Sequence, residues 1–146
     1  MKARAKVNLT LEVLGARADG YHDLRSLVVP VSLADDVSFA PADDISLSCR
    51  CGEAVDASFL GAPDRNLVWR AAALLRSCAG CSAGAAITLE KHIPIGAGLG
   101  GGSADAAATL VGLNDFWGLG FPANRWRRWG PRWGVTFRRL FTGAPS

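Results

Sequence analysis

The chain has 146 residues, 49% of them hydrophobic and 20% charged, the profile of one soluble globular domain with a buried core. No apolar run reaches the length of a membrane span and the start of the chain lacks a signal-peptide core, so the expected compartment is the cytoplasm. The net charge of +3 is uneven: residues 121–146 hold six arginines and no acid, leaving a body of ten basic and thirteen acidic residues at −3.

Residues 5–14 alternate, with Val7, Leu9, Leu11 and Val13 on one side and Lys6, Asn8, Thr10 and Glu12 on the other. Period two predicts a half-buried strand with a polar face. Gly15 and Asp19-Gly20 supply turn chemistry. Strands are predicted next over 24–33, over Val37–Phe39 and over Ile45–Cys51. Asp64 is a candidate cap for a helix over 65–76, whose apolar stripe is Leu67, Ala71, Leu74 and Leu75. After a break at Gly84, 85–93 reads as a further strand ended by Pro94. A last helix is predicted from Ser103, as N-cap, to Trp117, with Gly118 as its stop. Strands first, then helix, strand, loop and helix, argue for an α+β domain with a mixed sheet packed against helices.

The cysteines are paired as Cys49/Cys51 and Cys78/Cys81, a spacing open to zinc. Cys49 alternates with Ile45 and Leu47, however, and Cys78 and Cys81 straddle a helix end. Free thiols acting as small hydrophobes are the simpler reading.

The strongest chemical signal lies between Pro94 and Ala104. Five glycines occupy the seven positions 96–102. Without side chains the backbone can approach an anion and turn successive N–H groups toward it. The following helix adds unpaired N-terminal donors and the positive end of its dipole. Ser103 offers a hydroxyl to a phosphate oxygen or to Mg²⁺. A Walker A loop is excluded because no lysine precedes Ser103. Gly96, Gly98 and Gly101 satisfy the dinucleotide pattern formally, but they sit late in the chain, and the acid downstream, Asp115, falls inside the helix.

The run from Pro94 through Ile95, Gly96, Ala97, Gly98, Leu99, Gly100, Gly101, Gly102, Ser103 and Ala104 to Asp105-Ala-Ala resembles the ATP-binding motif of the GHMP kinases. Ala5–Leu11, Arg17–His22, Asp64–Leu67 and Leu113-Asn114 are similar to one branch of that superfamily, and the likeness extends from about Ala3 to Gly120. The resemblance implies a ribosomal protein S5 domain 2-like fold over residues 1–120. It also implies phosphoryl transfer from ATP, with Mg²⁺, to a primary hydroxyl of a cytidine diphosphate-linked methylerythritol in non-mevalonate isoprenoid synthesis. In that reading Pro94–Ala104 hold the triphosphate. Lys6 is catalytic beside the attacking hydroxyl, Asn8 shares its face, and Tyr21 and His22 line the cytidine pocket. No protein side chain other than Ser103 is expected to touch the metal. His92 is expected to be only a strand-end residue.

The sequence departs from the family in two ways. Relatives are about twice as long, so a C-terminal domain is expected to be absent. Where the family carries Gly-x-Asp-Val-Pro, whose aspartate is the base partnering the lysine, this chain has Gly134-Val-Thr-Phe-Arg138. Residues 121–146 are therefore expected to be an aberrant Arg/Trp-rich tail arising from a reading-frame shift near Gly120. Three other readings follow: an inert kinase fragment, a nucleic-acid-binding module using the tail, and a dinucleotide-dependent oxidoreductase. The acidic body argues against nucleic acid.

Overall fold

In the computed structural model the described residues are 1–16 and 22–122. Their strands are β1 (Lys2–Asn8), β2 (Glu12–Ala16), β3 (His22–Arg25), β4 (Val28–Ala40), β5 (Ile45–Cys51) and β6 (Ala85–Lys91). The helices are α1 (Leu67–Ala79) and α2 (Gly101–Phe116), and two short 3₁₀ turns precede α1. One sheet has the order β1-β4-β6-β5, and β2 pairs with β3 as a separate hairpin. β1 and β6 both run antiparallel to β4, whereas β5 is parallel to β6. A mixed sheet with two helices is the expected α+β architecture.

The parallel β5–β6 pair needs a long crossover, and α1 is that crossover. Its start differs from the sequence expectation. Asn66 is the N-cap, accepting from the Val68 N–H at 2.9 Å, while Asp64 lies one turn earlier in a 3₁₀ turn. Asn at that position has the short acceptor a cap requires, and Pro63 already commits the preceding residues to the tighter turn. The helix ends at Gly80, left-handed at φ 63°.

The predicted strand over 5–14 is two strands. Thr10 interrupts it: its carbonyl accepts from Ser26 Oγ at 2.6 Å and its hydroxyl accepts the Leu27 N–H at 3.0 Å. A side chain that takes over a backbone donor competes with the ladder. Burial along the predicted apolar face also differs. Ala3 and Ala5 are buried, whereas Leu9, Leu11 and Val13 are 61%, 61% and 59% exposed. Small residues are needed where α2 lies close over β1.

Residues 24–33 and 37–39 were expected as separate strands, yet one 13-residue strand, β4, joins 28–33 to 37–39, while 24–25 end β3. Asp35 and Asp36 look like a break but are accommodated on opposite faces. Asp36 points out and pairs with Lys2 at 2.7 Å, and Asp35 points in and is fully buried.

The core joins Val37, Ile87 and Leu89 of the sheet to Val68, Ala71 and Leu75 of α1 and Leu110 and Leu113 of α2. Gly112 permits a close approach of α2 to the sheet, since a Cβ there would meet the Phe39 ring at 2.3 Å. Beyond α2 the chain is held by Asn114, whose Oδ1 accepts the Phe121 N–H at 2.9 Å and whose Nδ2 donates to the Phe121 carbonyl at 3.3 Å. The Trp117 indole donates to the Gly84 carbonyl at 3.0 Å.

Candidate active site

The glycine loop leaves β6 at His92 and enters α2 at Gly101. Three of its glycines, Gly96, Gly98 and Gly100, have φ of 79°, 73° and 74°. Residues with a Cβ avoid that region. Alternating with Ala97 and Leu99, they have the kind of backbone that can turn successive amides toward an anion. Gly100 is the N-cap of α2, so the helix starts two residues before the predicted Ser103, which lies in the first turn. A left-handed cap can be supplied by glycine but not by serine at low cost, and this moves the helix start into the loop.

Two glycines are also demanded by neighbours. A Cβ on Gly100 would meet Lys6 Cε at 3.1 Å, and one on Gly101 would meet Ile93 Cγ2 at 2.9 Å and Lys91 Nζ at 3.2 Å. Lys6 therefore lies across the loop. Its backbone N–H donates to the Leu99 carbonyl at 3.0 Å, and its ammonium donates to the Gly98 carbonyl at 2.8 Å and to Asn8 Oδ1 at 3.3 Å. Strand periodicity put Lys6 and Asn8 on one face, and that face meets the loop.

A cavity of about 230 Å³ adjoins the loop. Pro94–Gly102 line it together with Leu60, Arg65, Asn66, Leu67, Leu89, Lys91 and Asp105. Ser103 and Ala104, in the first turn of α2, are not among its lining residues. Ala104 faces a separate shallow groove with Met1 and Ala3. His22 opens β3, and Tyr21 lies outside the described residues, as do residues 123–146 and thus Gly134–Arg138.

The floor of the cavity holds a buried charge cluster that the sequence reading passed over. Lys91 Nζ donates to Asp35 Oδ2, and to Asp105 Oδ2 at 2.8 Å. Asp35 Oδ1 accepts the His92 N–H at 2.5 Å and the Ile93 N–H at 2.8 Å. Asp105 Oδ1 is buried with no hydrogen-bond partner. Burial pushes the Asp105 carboxyl up to about 7, against the opposing pull of Lys91. Burial acts the same way on Asp35, but the Lys91, Ile93 and His92 hydrogen bonds outweigh it and hold that carboxyl below its usual range. Burial disfavours the Lys91 ammonium, but the charges and hydrogen bonds of Asp105 and Asp35 together outweigh it, so its pKa rises. A signal for this cluster existed: Lys91 continues the buried phase Ala85, Ile87, Leu89, and Asp35 shares the inward phase of Val37.

His92 is exposed at the strand end, as expected. It is the third member of a surface group with Asp36 and Glu90 whose candidate ligand atoms lie within 4.8 Å. Asp36 already pairs with Lys2, and Glu90 with Arg50 at 3.7 Å. The four cysteines are unpaired with one another. Cys49 stands half-buried on β5, where burial pushes its thiol pKa up.

A mixed sheet, a crossover helix and a glycine-rich loop opening a second helix make up the architecture of this α+β domain. The chain belongs to the GHMP kinases: the family model for the GHMP kinases N terminal domain matches residues 66–143. The 4-diphosphocytidyl-2-C-methyl-D-erythritol kinase of Symbiobacterium thermophilum is 54% identical over 123 residues, 82% of this chain and 41% of that one. The protein of the same name from Synechococcus sp. (strain CC9605) is 54% identical over 121 residues, 82% of this chain and 38% of the other. A crystal structure of 4-(cytidine 5'-diphospho)-2C-methyl-D-erythritol kinase superposes with a TM-score of 0.77 at 38% identity, covering 98% of this chain and 48% of that one. A homoserine kinase from Cytophaga hutchinsonii shares the fold, with a TM-score of 0.58 at 21% identity over 66% of this chain and 31% of that one. The chain thus spans about two fifths of the length of the curated relatives it matches.

Proposed function

We propose that this chain is the nucleotide-binding part of an ATP-dependent kinase acting on the methylerythritol moiety of 4-diphosphocytidyl-2-C-methyl-D-erythritol, in the cytoplasm. The observation that carries the reading is the loop itself. Three left-handed glycines and a helix start lie under a lysine that reaches the Gly98 carbonyl at 2.8 Å. The relatives named above, at 54% identity, support the choice of substrate.

In this reading Pro94–Ala104 bind the triphosphate through backbone donors, and fixed dipoles supply most of the rate. Lys6 orients the attacking hydroxyl, moving from its loop carbonyl toward the incoming phosphate. Asn8 keeps the ammonium on that face. Tyr21 and His22 hold the cytidine, by ring stacking and a polar contact. Mg²⁺ is a hard cation that takes oxygen ligands. Ser103, in the first turn of α2 next to the loop, would offer it a single hydroxyl, with the remaining ligands coming from phosphate and water. When bound, the ion would neutralise charge on the transferred group. Residues 1–120 form the domain and 121–146 a frame-shifted tail that lacks the aspartate base.

The test is a melting and turnover series. ATP with Mg²⁺ is expected to raise Tm and NAD to leave it unchanged, because a ligand stabilises only the state it binds. A coupled assay with the diphosphocytidyl substrate is expected to stay near background. Robust turnover would refute the missing base, and stabilisation by NAD in place of ATP would refute the kinase reading.

A further inference from the structure

A buried ion cluster is a poor way to gain stability. Removing charges from water costs several kcal/mol per ion, on the order of what their mutual attraction returns. Here the balance is worse, because Asp105 keeps one oxygen without a partner. A packing role alone would be served by apolar side chains. The placement of the three residues supplies a different reason.

Each member belongs to a different part of the loop's surroundings. Asp105 lies in the second turn of α2, the helix that the loop enters. Lys91 is the last residue of β6, the strand that the loop leaves, and Asp35 comes from the neighbouring β4. Asp35 also takes the N–H groups of His92 and Ile93, the two residues immediately before Pro94. Lys91 Nζ sits 3.2 Å from the position a Gly101 Cβ would take, directly beneath the first turn of α2. The two stems of the loop are therefore joined below it through one ammonium. Above it, Lys6 joins the middle of the loop to β1.

We propose that Lys91, with Asp35 and Asp105, is a positioning clamp that fixes the separation of the two stems of the phosphate loop, so that its amides are aimed before a nucleotide arrives. The proposal deepens the kinase reading and rests on it for the identity of the ligand. A loop of glycines has no side chains to hold its own shape, and its ordering entropy falls on whatever ties its ends. Ion pairs are directional where apolar contacts are not. The clamp thereby exchanges stability for a single loop geometry.

The experiment compares the full chain with the neutral triple variant Asp35→Asn/Lys91→Met/Asp105→Asn. Removing all three charges together avoids stranding one of them, so the variant is expected to fold. Two readouts follow. Hydrogen exchange of the amides 96–102, measured without nucleotide, is expected to accelerate at least tenfold, with β5 and α1 unchanged. The dissociation constant for Mg²⁺–ATP is expected to rise at least tenfold. Unchanged loop exchange would overturn the clamp, and so would a variant that does not fold, since the cluster would then serve stability. If the parent itself binds no Mg²⁺–ATP, the kinase reading fails separately, while loop exchange still decides the clamp.

Discussion

At the scale of single residues, glycine is where the site is least replaceable. Gly101 has no room for a methyl group beside Ile93 and Lys91. Gly101→Val should therefore cost about 1–3 kcal/mol by overpacking and abolish nucleotide-induced stabilisation, as read by thermal shift with and without Mg²⁺–ATP. A nucleotide-dependent Tm rise equal to the parent's would show that the loop tolerates displacement. Asp35 makes a prediction in pH. Its folded pKa lies below the usual 3.8, so its stabilisation is present above that value and is lost as pH falls through the folded pKa. An acid-unfolding curve of the parent should steepen below about pH 4. Asp35→Asn should lack that component and, because it breaks a buried pair, be about 3–5 kcal/mol less stable at neutral pH in urea unfolding. Equal stability of the two at pH 7 would count against a buried pair.

At the scale of elements, α1 and α2 carry the loop and the core together. Asn66 caps α1 and also lines the cavity, so Asn66→Ala should cost about 1 kcal/mol and weaken nucleotide binding in the same protein. Leu110 on α2 is fully buried, and Leu110→Ala should cost about 2–5 kcal/mol. A urea midpoint shift worth less than half of that range would place the residue outside the core. What the sequence revealed about these elements follows a physical division. β5 was legible to its ends because Ile45–Cys51 alternates cleanly between turn residues. β6 was found within two residues, since only Pro94 marked its end. The Gly100 cap was hidden, because any of three adjacent glycines could start the helix and Ser103 is the better cap by side chain alone. The break at Thr10 was hidden too, because it depends on Ser26 and Leu27, sixteen and seventeen residues away. Lys6 and the loop were legible as separate motifs, but their contact across more than ninety residues was not. The buried cluster was overlooked because charge outweighed phase: Lys91 reads as a surface residue unless its place in the alternation is trusted.

For the whole molecule, burial is uneven. The core under α1 and α2 is dense, while Leu9, Leu11, Val13, Leu14 and Leu27 are each more than half exposed around the β1–β2 bend and its partner strand. Single apolar residues on a surface are ordinary, but a group of them invites association. Leu9→Ser/Leu11→Ser should change the stability of this domain by no more than about 0.5 kcal/mol and should lower the tendency to aggregate in light scattering. A large loss of stability would mean that these side chains pack more tightly than their exposure allows.

The Asn114 amide has a consequence for the gene. By meeting both backbone groups of Phe121, it ties the segment beyond α2 back onto that helix. A protein cut after Pro122 should therefore melt cooperatively and near the temperature of the full chain. A polypeptide ending there would then be a folded stub, not an unfolded ribbon.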